Sequence, residues 1–462
     1  MIDVAVIGGG ISGLTAAHEL RRQGHNVMVL ERQVRSGGNA ISENIGGFLM
    51  EHGPSTTNAA LPEVGDLSGA LGLNTSLVDL SDKVKRRYLV KGGELAGISI
   101  HPLGFFLSSY LSPAGRLRLM AELAVPKQHK DTDETVDQYF TRRFGSEFST
   151  RVMDPLVGGL YAGRADELSV ESVFPKLVNM ENRHGSICRA VLSRHLRGRL
   201  MPSRRLSSWS KGIGSLPAAL SRALSGDIRT GIAVRDVRVR GAGFEIDTHN
   251  GGKVAARAVL VATQSHVAAV LLERVSPDGA EAISEISAPP LAVVFMGYKR
   301  KAVDHPLDGL GYLAPSSENR VLTGVQFPSS MFPGRAPEGY VSMTGYLGGA
   351  RYPGVAQLTE DDLAALAKEE FKDLLGARGC PEVSRVRCWP RGIPQYQVGH
   401  QSRLQKIQEI SNDVPGLFVT GNYLAGPSVG ACVSSALEAA EDISTHLSSG
   451  RPVDKALTGM VR

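Results

Sequence analysis

The sequence has few cysteines: only Cys188, Cys380, Cys388 and Cys432 occur among 462 residues. No two of them form a Cys-x-x-Cys pair, so we expect neither a disulfide framework nor a thiolate metal site. The twelve histidines are scattered without a ligand spacing, which also argues against a bound metal. Cysteine usage of this kind is typical of a reduced, cytoplasmic compartment.

Long apolar runs are also absent. No stretch reaches the roughly eighteen apolar residues of a transmembrane helix, and glycines interrupt the N-terminal apolar run, unlike a signal peptide. Neither sign of charge dominates, since 51 Lys and Arg residues against 46 Asp and Glu residues leave a net charge of +5. Without a recognition motif, this weakly basic balance does not predict nucleic-acid binding. The hydrophobic content of 42% indicates a globular protein, and its length suggests two or three domains.

The sequence does contain a strand–turn–helix–strand pattern at its start. The apolar run Val4–Ile7 leads into the glycine-rich segment Gly8–Gly13, which opens a helical pattern. A second apolar run, Val27–Leu30, ends at Glu31. A Gly-x-Gly-x-x-Gly motif in this context indicates a dinucleotide site, where an acid such as Glu31 accepts hydrogen bonds from the ribose hydroxyls. A βαβ unit with this spacing but no nucleotide is the alternative.

Each glycine of this motif has a predicted task. Gly8 permits the tight turn, Gly10 lets the backbone approach a pyrophosphate, and Gly13 lets the helix pack closely on the strand. Ile11 and Ser12 open the helix, whose unpaired N–H groups and positive dipole end would face the phosphates. The segment therefore predicts a complete diphosphate cradle.

The next segment, Arg32–Asn39, indicates which dinucleotide is bound. Its Arg-x-Gly-Gly, formed by Arg35, Gly37 and Gly38, resembles the second signature of the FAD-dependent amine oxidase superfamily. The resemblance implies that backbone at the glycine pair lies against the diphosphate and flavin of FAD, while the arginine binds phosphate. An ordinary glycine-rich loop is the alternative.

Two distant segments agree with this resemblance. Ala258–Thr263 is an apolar strand that ends in a small-residue turn, and Gly416–Asn422 is another strand. A helical run then begins near Ser428, and its N-terminal dipole would stabilise negative charge on the reduced flavin ring. The resemblance implies these further FAD-binding residues: Gly53, Pro54, Ser55, Val234, Thr263, Trp389, Gly421, Asn422, Ser428 and Val429. No cysteine lies in the signature that carries covalent flavin, so we expect non-covalent FAD.

The fold class that follows is α/β. Because the flavin motifs lie at the start, middle and end of the chain, we expect a discontinuous Rossmann-like FAD-binding domain made of 1–84, 213–275 and 405–450. Short strands between 290 and 350 predict an antiparallel sheet within a mixed-sheet substrate domain, made of 85–103, 186–212 and 276–404. Residues 104–185 are predicted to form a helical insertion.

A narrower resemblance lies in the inserted segments. Met153–Gly163, Phe332–Pro337 and the region from Trp389 to His400 resemble the protoporphyrinogen and coproporphyrinogen oxidase family. The resemblance implies an oxidase of haem biosynthesis that converts protoporphyrinogen IX to the porphyrin by hydride transfers to flavin N5, with oxygen or a quinone as acceptor. No catalytic side chain is then required, because the flavin cofactor itself accepts the hydride. The alternatives are coproporphyrinogen III oxidation to coproporphyrin III, another amine oxidase or desaturase activity, and a flavoprotein kept for binding.

The resemblance also implies how the substrate is held. Arg87 falls at the family's propionate-binding arginine, and a guanidinium pairs bidentately with a carboxylate. A solvated arginine is the alternative, and the neighbouring Arg86 is the obvious one-residue error. Gly158 and Gly159 would let the backbone pass close to the flavin and present a carbonyl to the substrate N–H groups. Simple loop flexibility is the alternative for this glycine pair.

The pyrrole rings need flat walls, and three positions are candidates. Leu313 matches an apolar family position, whereas Gln326 and Tyr346 stand where the plant mitochondrial type has a leucine and a phenylalanine. Tyr346 keeps the aromatic face, but Gln326 adds polarity. A polar wall suits coproporphyrinogen, which has two more propionates, or a different substrate altogether. Ordinary strand packing is the alternative for each residue.

An apolar patch in the helical insertion suggests contact with a membrane surface. It consists of Leu103–Leu107 with Tyr110 and Leu111, and Arg116 and Arg118 follow it. Such a patch can enter the lipid interface while basic residues meet the lipid phosphates. We therefore expect a cytoplasmic protein, monomeric or homodimeric, with possible peripheral contact at the cytoplasmic face of the membrane. Since apolar residues of this kind are more often part of a core, we favour a position that is at least half buried, with membrane contact as the alternative.

Overall fold

The computed structural model describes residues 1–99, 104–105, 108–127, 133–196 and 206–449, and for 194–196 the backbone alone. In this part of the chain, two large β-sheets and two small ones are packed with helices. No helix among the described residues is both long and apolar enough to cross a membrane.

The strands of the described residues are short to medium in length. In chain order they are β1 (Ile2–Ile7), β2 (Val27–Glu31), β3 (Ser42–Ile45), β4 (Phe48–Glu51), β5 (Thr57–Asn58), β6 (Leu77–Asp79), β7 (Arg86–Lys91), β8 (Glu94–Ser99), β9 (Leu206–Trp209), β10 (Ile228–Thr230), β11 (Val234–Arg240), β12 (Gly243–Thr248), β13 (Lys253–Val261), β14 (Leu291–Lys299), β15 (Gly309–Leu313), β16 (Gly324–Gln326), β17 (Tyr340–Gly348), β18 (Val383–Trp389) and β19 (Leu417–Val419).

The helices range from single turns to a long C-terminal helix. In chain order they are α1 (Ile11–Arg22), α2 (Pro62–Ala70), α3 (Pro113–Met120), α4 (Val136–Phe144), α5 (Ser146–Phe148), α6 (Asp154–Tyr161), α7 (Val170–Val173), α8 (Pro175–His184), α9 (Ile187–Leu196), α10 (Ser215–Ala223), α11 (Ser265–Leu272), α12 (Pro277–Ser284), α13 (Pro328–Met331), α14 (Glu360–Leu375), α15 (His400–Asp413) and α16 (Val429–Ser449).

The first large sheet is built from the start, middle and end of the chain. Its order is β10-β2-β1-β13-β12-β11, and β19 also pairs with β13. Strands β10, β2, β1, β13 and β19 are parallel, whereas β12 and β11 join antiparallel. Val4 and Val6 share a core with α1, α10 and α16, while Ala5 and Ile7 share one with α11, α12 and α15. Burial on both faces explains why Val4–Ile7 of β1 is an uninterrupted apolar run.

The second large sheet has the order β18-β14-β17-β16-β15-β7-β8. The four strands between 291 and 348 pair antiparallel, as predicted, while β7 joins β15 in parallel and makes the sheet mixed. One face, with Val294 and Tyr312, packs under α14. On the opposite face, Val293 packs against the β3–β4 hairpin, and Leu313 packs against Tyr110 and Leu111. This second face is called the site face below.

Helices α3 to α9 form a helical module that extends past residue 185, where the predicted helical insertion ends. Its core contains Tyr139, Phe140 and Val157. Inside it, the fully buried Arg143 forms an ion pair with the fully buried Glu122. Glu122 also accepts a 2.9 Å hydrogen bond from the amide of Ile187, so the buried charges are compensated.

Candidate functional site

The glycine turn after β1 packs too tightly for side chains at two of its positions. Gly8 has φ +108°, and a Cβ there would lie 2.6 Å from the carbonyl oxygen of Ala262. A Cβ at Gly13 would overlap the carbonyl oxygen of Gly8. Gly10 differs, since no heavy atom lies within 4 Å of its Cβ position. The turn is therefore tightly packed on the sheet side and open at Gly10, as the approach of a ligand to the backbone requires.

Glu31, at the end of β2, is held beside this turn. Its Oε2 accepts the Gly9 amide at 2.7 Å, and its Oε1 accepts the Gln33 amide at 2.7 Å. The amide of Ile232 donates to the main-chain oxygen of Glu31, and this places Val234, two residues further on, at the same end of the sheet. The carboxylate oxygens keep further lone pairs for a ligand. Arg32, the next residue, is exposed.

The Arg-x-Gly-Gly segment folds against the glycine turn. The Gly37 amide donates to the Gly9 carbonyl at 2.7 Å, and the Cβ position of Gly38 lies 3.1 Å from Cα of Gly10. Arg35 donates from Nη2 to the Gly38 carbonyl at 3.1 Å. The two glycine segments, 24 or more residues apart in sequence, thus form one backbone-lined cradle.

A short segment after β4 connects this cradle to the second sheet. A Cβ at Gly53 would lie 2.5 Å from the Asn39 carbonyl oxygen, so only glycine fits this close approach. One residue before Gly53, the His52 carbonyl accepts a 2.8 Å hydrogen bond from Nε1 of Trp389. Beyond Pro54, Ser55 donates from Oγ to Oε1 of Gln326 at 2.9 Å. The segment joins predicted cofactor residues to a predicted substrate residue.

The C-terminal motifs reach the same end of the first sheet. Thr263 follows β13 and lies against Gly8, with 3.3 Å between its Cγ2 and the Cβ position of Gly8. Gly421 follows β19, and its Cβ position lies 3.4 Å from the Thr263 carbonyl oxygen. The next residue, Asn422, accepts a hydrogen bond on its carbonyl from the Tyr396 hydroxyl. At the start of α16, Ser428 accepts the amide of residue 431 at 3.1 Å, and Val429 is buried.

The wall residues share the site face. Strand register puts Leu313 opposite Gly324 and Gly324 opposite Tyr346, while Gln326 lies two residues along β16 from Gly324. Because alternate residues of a strand point the same way, Leu313, Gln326 and Tyr346 face one side. The Tyr346 hydroxyl donates to Oε1 of Gln326 at 3.0 Å. Burial raises the pKa of Tyr346, so its hydroxyl stays neutral and able to donate.

The register also separates Arg87 from Arg86. Leu89 pairs with Leu313 across β7 and β15, and Arg87 lies two residues from Leu89, on the site face. Arg86 points to the other side, where its Nε lies 3.7 Å from a carboxylate oxygen of Asp308. Arg87 is exposed. The geometry therefore places Arg87, and not Arg86, on the side of the wall residues.

Gly158 and Gly159 lie in helix α6 and not in a flexible loop, so the loop alternative is wrong. A Cβ at Gly158 would lie 2.5 Å from Cζ of Arg351, whose Nη2 pairs with Oδ1 of Asp154 at 2.9 Å. A Cβ at Gly159 would overlap the end of the Leu313 side chain. The absence of a Cβ at each glycine thus leaves space for the side chains of Arg351 and Leu313. The predicted contact of a backbone carbonyl of this pair with the substrate stays a prediction.

A buried acid that the sequence did not single out lies behind the site. Glu51 ends β4 and accepts the Ile213 amide at 2.9 Å and the Ser42 hydroxyl, with Nη2 of Arg335 at 3.8 Å. Burial raises the pKa of Glu51 to about 7, although the hydrogen bonds from Ser42 and Ile213 and the charge of Arg335 oppose the rise. Its position two residues before Gly53 is the only sequence signal that could have pointed to it.

Part of the apolar patch predicted to meet a membrane is buried. Tyr110 and Leu111 belong to a core cluster with Leu89, so these two side chains do not contact a membrane. Leu103, Phe106 and Leu107 lie outside the described residues. Of the two arginines, Arg118 donates to the carbonyls of residues 142 and 143. The core interpretation is confirmed for Tyr110 and Leu111, which cover the site face at β7.

The parallel sheet, its glycine turn and the inserted mixed sheet define the class of dinucleotide-binding oxidoreductases. A family model, flavin containing amine oxidoreductase, matches residues 11–444. The chain belongs to this flavin containing amine oxidoreductase family. The resemblance inferred from the sequence, the α/β fold, the enzyme class and FAD as the cofactor are thereby confirmed.

Comparison with individual relatives shows which members of this family the chain resembles. The chain is 31% identical over 476 residues to the chloroplastic protoporphyrinogen oxidase of Oryza sativa subsp. japonica, covering 96% of this chain and 88% of the relative. It is 24% identical over 467 residues to the coproporphyrinogen III oxidase of Bacillus subtilis (strain 168), covering 96% and 98%. A crystal structure from Exiguobacterium sp. 255-15 aligns with a TM-score of 0.83 at 22% identity, over 97% of this chain and 99% of that one.

Proposed function

We propose that the chain is an FAD-dependent oxidase that converts a porphyrinogen, protoporphyrinogen IX, to its porphyrin. The observation that carries the proposal is the site face, on which Leu313, Gln326, Tyr346 and Arg87 gather beside the 53–55 segment of the cofactor cradle. The names of relatives at about 30% identity support the same reaction. The domain division given above belongs to this proposal.

The described residues fit FAD. The Cβ position of Gly10 faces open space, where a diphosphate could approach the backbone. The Glu31 carboxylate is held by two backbone amides, and the Arg35 guanidinium donates to the carbonyl of Gly38 in the glycine pair. When bound, the flavin supplies an acceptor for a hydride from a methylene bridge of the substrate. The cradle would hold the diphosphate and ribose, with the residues named in the sequence analysis. Non-covalent attachment is part of the proposal.

The protein's own task is to position the macrocycle and to exclude water. Leu313, whose side-chain end packs directly against Gly159, offers an apolar surface to a pyrrole ring. Arg87 lies at the exposed edge of the same face, where a propionate can remain partly hydrated while it pairs. Tyr346 stays neutral and contributes its ring. The substrate N–H proton goes to solvent water, so no side chain needs to act as a general base.

Coproporphyrinogen III is the second candidate substrate, and Gln326 favours it. Oε1 of this residue accepts from both Ser55 and Tyr346, so the amide N–H groups are left to donate elsewhere. A carboxylate is the acceptor that such a donor suits best, and coproporphyrinogen III carries two more of them. Oxygen is the proposed electron acceptor, with a quinone as the alternative.

An anaerobic reductive half-reaction tests the proposal. The yellow holoenzyme is mixed with protoporphyrinogen IX, with coproporphyrinogen III, or with a primary amine, and bleaching of the flavin absorbance is followed. We expect rapid bleaching with a porphyrinogen and, under air, a fluorescent porphyrin. Porphyrin formation no faster than autoxidation in an enzyme-free sample would exclude a porphyrinogen oxidase. Bleaching by the amine instead would assign an amine oxidase.

We further propose a cytoplasmic location with peripheral membrane contact at a new position. The exposed apolar patch, defined as Leu117, Met120 and Leu123, lies on α3 and the turn after it, with exposed fractions of 70%, 59% and 46%. Three such side chains at a spacing of three residues make one apolar ridge, which suits the lipid interface. A monomer or a homodimer is compatible with this arrangement.

A further inference from the structure

Arg351 joins three elements of the site at one point. It lies three residues beyond β17, the strand of Tyr346, and its Nη2 pairs at 2.9 Å with Oδ1 of Asp154, the first residue of α6. Its Nη1 donates at 2.9 Å to the carbonyl of Ala314, the residue after Leu313. The guanidinium thus links the ends of β15 and β17 to the start of α6.

The same segment also holds the far end of α6. The amide of Ala350 donates at 2.8 Å to the carbonyl of Ala162, where the helix ends in the left-handed region with φ 50°. A Cβ at Gly349 would overlap this carbonyl oxygen, so the close approach requires glycine. Residues 349–351 therefore fix α6 at both of its ends.

The position of α6 determines the space that is available to Leu313. A Cβ at Gly159 of α6 would overlap Cδ2 of Leu313, and a Cβ at Gly324 of β16 would lie 2.8 Å from the same atom. The end of the leucine therefore fills a gap between two glycines, and movement of α6 away from the sheet would open that gap to further rotamers. Leu313 is held at its backbone through Ala314 and at its side chain through α6, and both contacts involve Arg351.

The burial of Arg351 is not the arrangement that stability alone favours. Its side chain is only 11% exposed, and its Nε has no hydrogen-bond partner within the part of the chain that the structure describes. A buried ion pair can often be replaced by apolar side chains without loss of stability, so its presence favours a requirement for a defined geometry. The absence of a side chain at Gly158 leaves the space that the guanidinium occupies.

We propose that Arg351 is a positioning residue, which holds α6 against β15 and thereby keeps Leu313 in one position in the substrate wall. Arg351 lies behind the wall and acts on the substrate only through Leu313. The use of Leu313 as a wall for a pyrrole ring rests on the proposed function, whereas the hold of Arg351 on α6 and on Ala314 does not.

Methyl NMR of the leucine-labelled holoprotein tests the position of Leu313 without any substrate, with its signals identified by their loss in Leu313→Met. We expect Arg351→Met, which keeps an unbranched side chain without the guanidinium, to shift or broaden these signals. Arg351→Lys should shift them less, because an ammonium can still pair with Asp154 but lacks the planar fork.

Arg300→Met is the matched control for this measurement. The Arg300 guanidinium also donates to two carbonyls, but it lies near Tyr340, at the other end of β17. This variant should leave the Leu313 signals unchanged. Coincident Leu313 signals in the wild type and in the folded Arg351 variants overturn the inference, and so does an equal shift in Arg300→Met. If Arg351→Met does not fold, Arg351→Lys decides the test.

Steady-state kinetics connects the position of Leu313 to the reaction. In Arg351→Met, KM for protoporphyrinogen IX should rise about tenfold, as for loss of part of the packing of one leucine on the ring. The value of kcat should change less than about threefold, and the dissociation constant of FAD less than about twofold, because only ground-state binding of the substrate is weakened. An unchanged KM overturns the inference, and so does a loss of FAD affinity as large as the rise in KM. Wild-type protein without porphyrinogen turnover would contradict the proposed function alone, and the methyl signals would then decide the inference.

Discussion

The Tyr346 hydroxyl donates a 3.0 Å hydrogen bond to Oε1 of Gln326, so an aromatic wall residue orients a polar one. Ser55 completes the arrangement from the cofactor side. Both lone pairs of the amide oxygen are used, and its N–H groups point away from these partners. This arrangement connects the proposed choice of substrate to Gln326, a position at which the resemblance implies a leucine in the plant mitochondrial type.

Gln326→Leu is therefore expected to change selectivity between the two porphyrinogens. Because the variant removes the amide donor but keeps the size of the side chain, kcat/KM for coproporphyrinogen III should fall about tenfold, as for one lost hydrogen bond to a charged group. The value for protoporphyrinogen IX should change less than about threefold. Steady-state porphyrin fluorescence measures both. Equal losses for the two substrates would contradict a role in selecting carboxylates.

Arg87→Ala tests the substrate carboxylate contact, with Arg86→Ala as its control. Arg87 is on the site face, whereas Arg86 lies near Asp308 on the other side. Loss of a charge-assisted contact predicts a KM increase of about ten- to a hundredfold for Arg87→Ala, with FAD affinity unchanged. Arg86→Ala should alter KM less than about threefold. The reverse ranking would show that the strand register has been misassigned.

Gly158→Ala should destabilise the protein. The added Cβ would lie 2.5 Å from Cζ of Arg351, which is itself fixed by Asp154 and by the Ala314 carbonyl at 2.9 Å. We expect a loss of about 1 to 3 kcal/mol in the free energy of unfolding, measured by urea denaturation of the holoprotein. Gly354→Ala is the control, because its Cβ position has no heavy atom within 4 Å. It should change stability by less than about 0.5 kcal/mol.

Glu51 predicts a pH dependence of stability. Its pKa rises from 4.5 to about 7 on folding, so between these pH values the native state binds more protons than the unfolded state. Stability should therefore fall as the pH rises from about 4.5 to about 7, by up to about 3 kcal/mol, and then level off. Glu51→Gln should flatten this part of the profile. Parallel profiles for wild type and variant would show that Glu51 does not titrate there.

If the exposed apolar patch binds the membrane, acidic substitutions within it should weaken that binding. The double variant Leu117→Asp with Met120→Asp should reduce sedimentation with phosphatidylcholine–phosphatidylglycerol vesicles at least about fivefold, because carboxylates resist entry into the interface and repel anionic lipid. Val270→Asp, at a 67% exposed position on α11, is the control and should sediment like the wild type. Wild-type protein that stays in the supernatant would exclude this surface as a membrane contact.

The parts of the molecule that could be predicted are those determined by residues close to one another in the sequence. Strand β1, the turn at Gly8 and helix α1 follow from an apolar run, a glycine pattern and helical spacing within some twenty residues, and the structure contains them. The family resemblance extended this prediction to FAD. Even the strands between 291 and 348 were visible as apolar runs between turn residues.

The rest depends on contacts between distant residues. Ser55 and Gln326 are 271 positions apart, and only the register of β16 against β15 and β17 brings them together. The choice between Arg86 and Arg87 needs the register of β7 against β15, since a shift of one residue moves a side chain to the other face.

The pairing of β13 with β19 has a consequence for synthesis of the chain. Val259 lies opposite Leu417, so β13 gains its second parallel neighbour, β19, only after about 150 further residues have been made. A ribosome-bound chain that ends before Leu417 lacks one parallel neighbour of β13 and the long helix that follows. Such an intermediate exposes the edge of an apolar strand, the kind of surface that chaperones bind. Loading of FAD is thus expected only after β19 and the helix that follows it have been made and have joined the sheet.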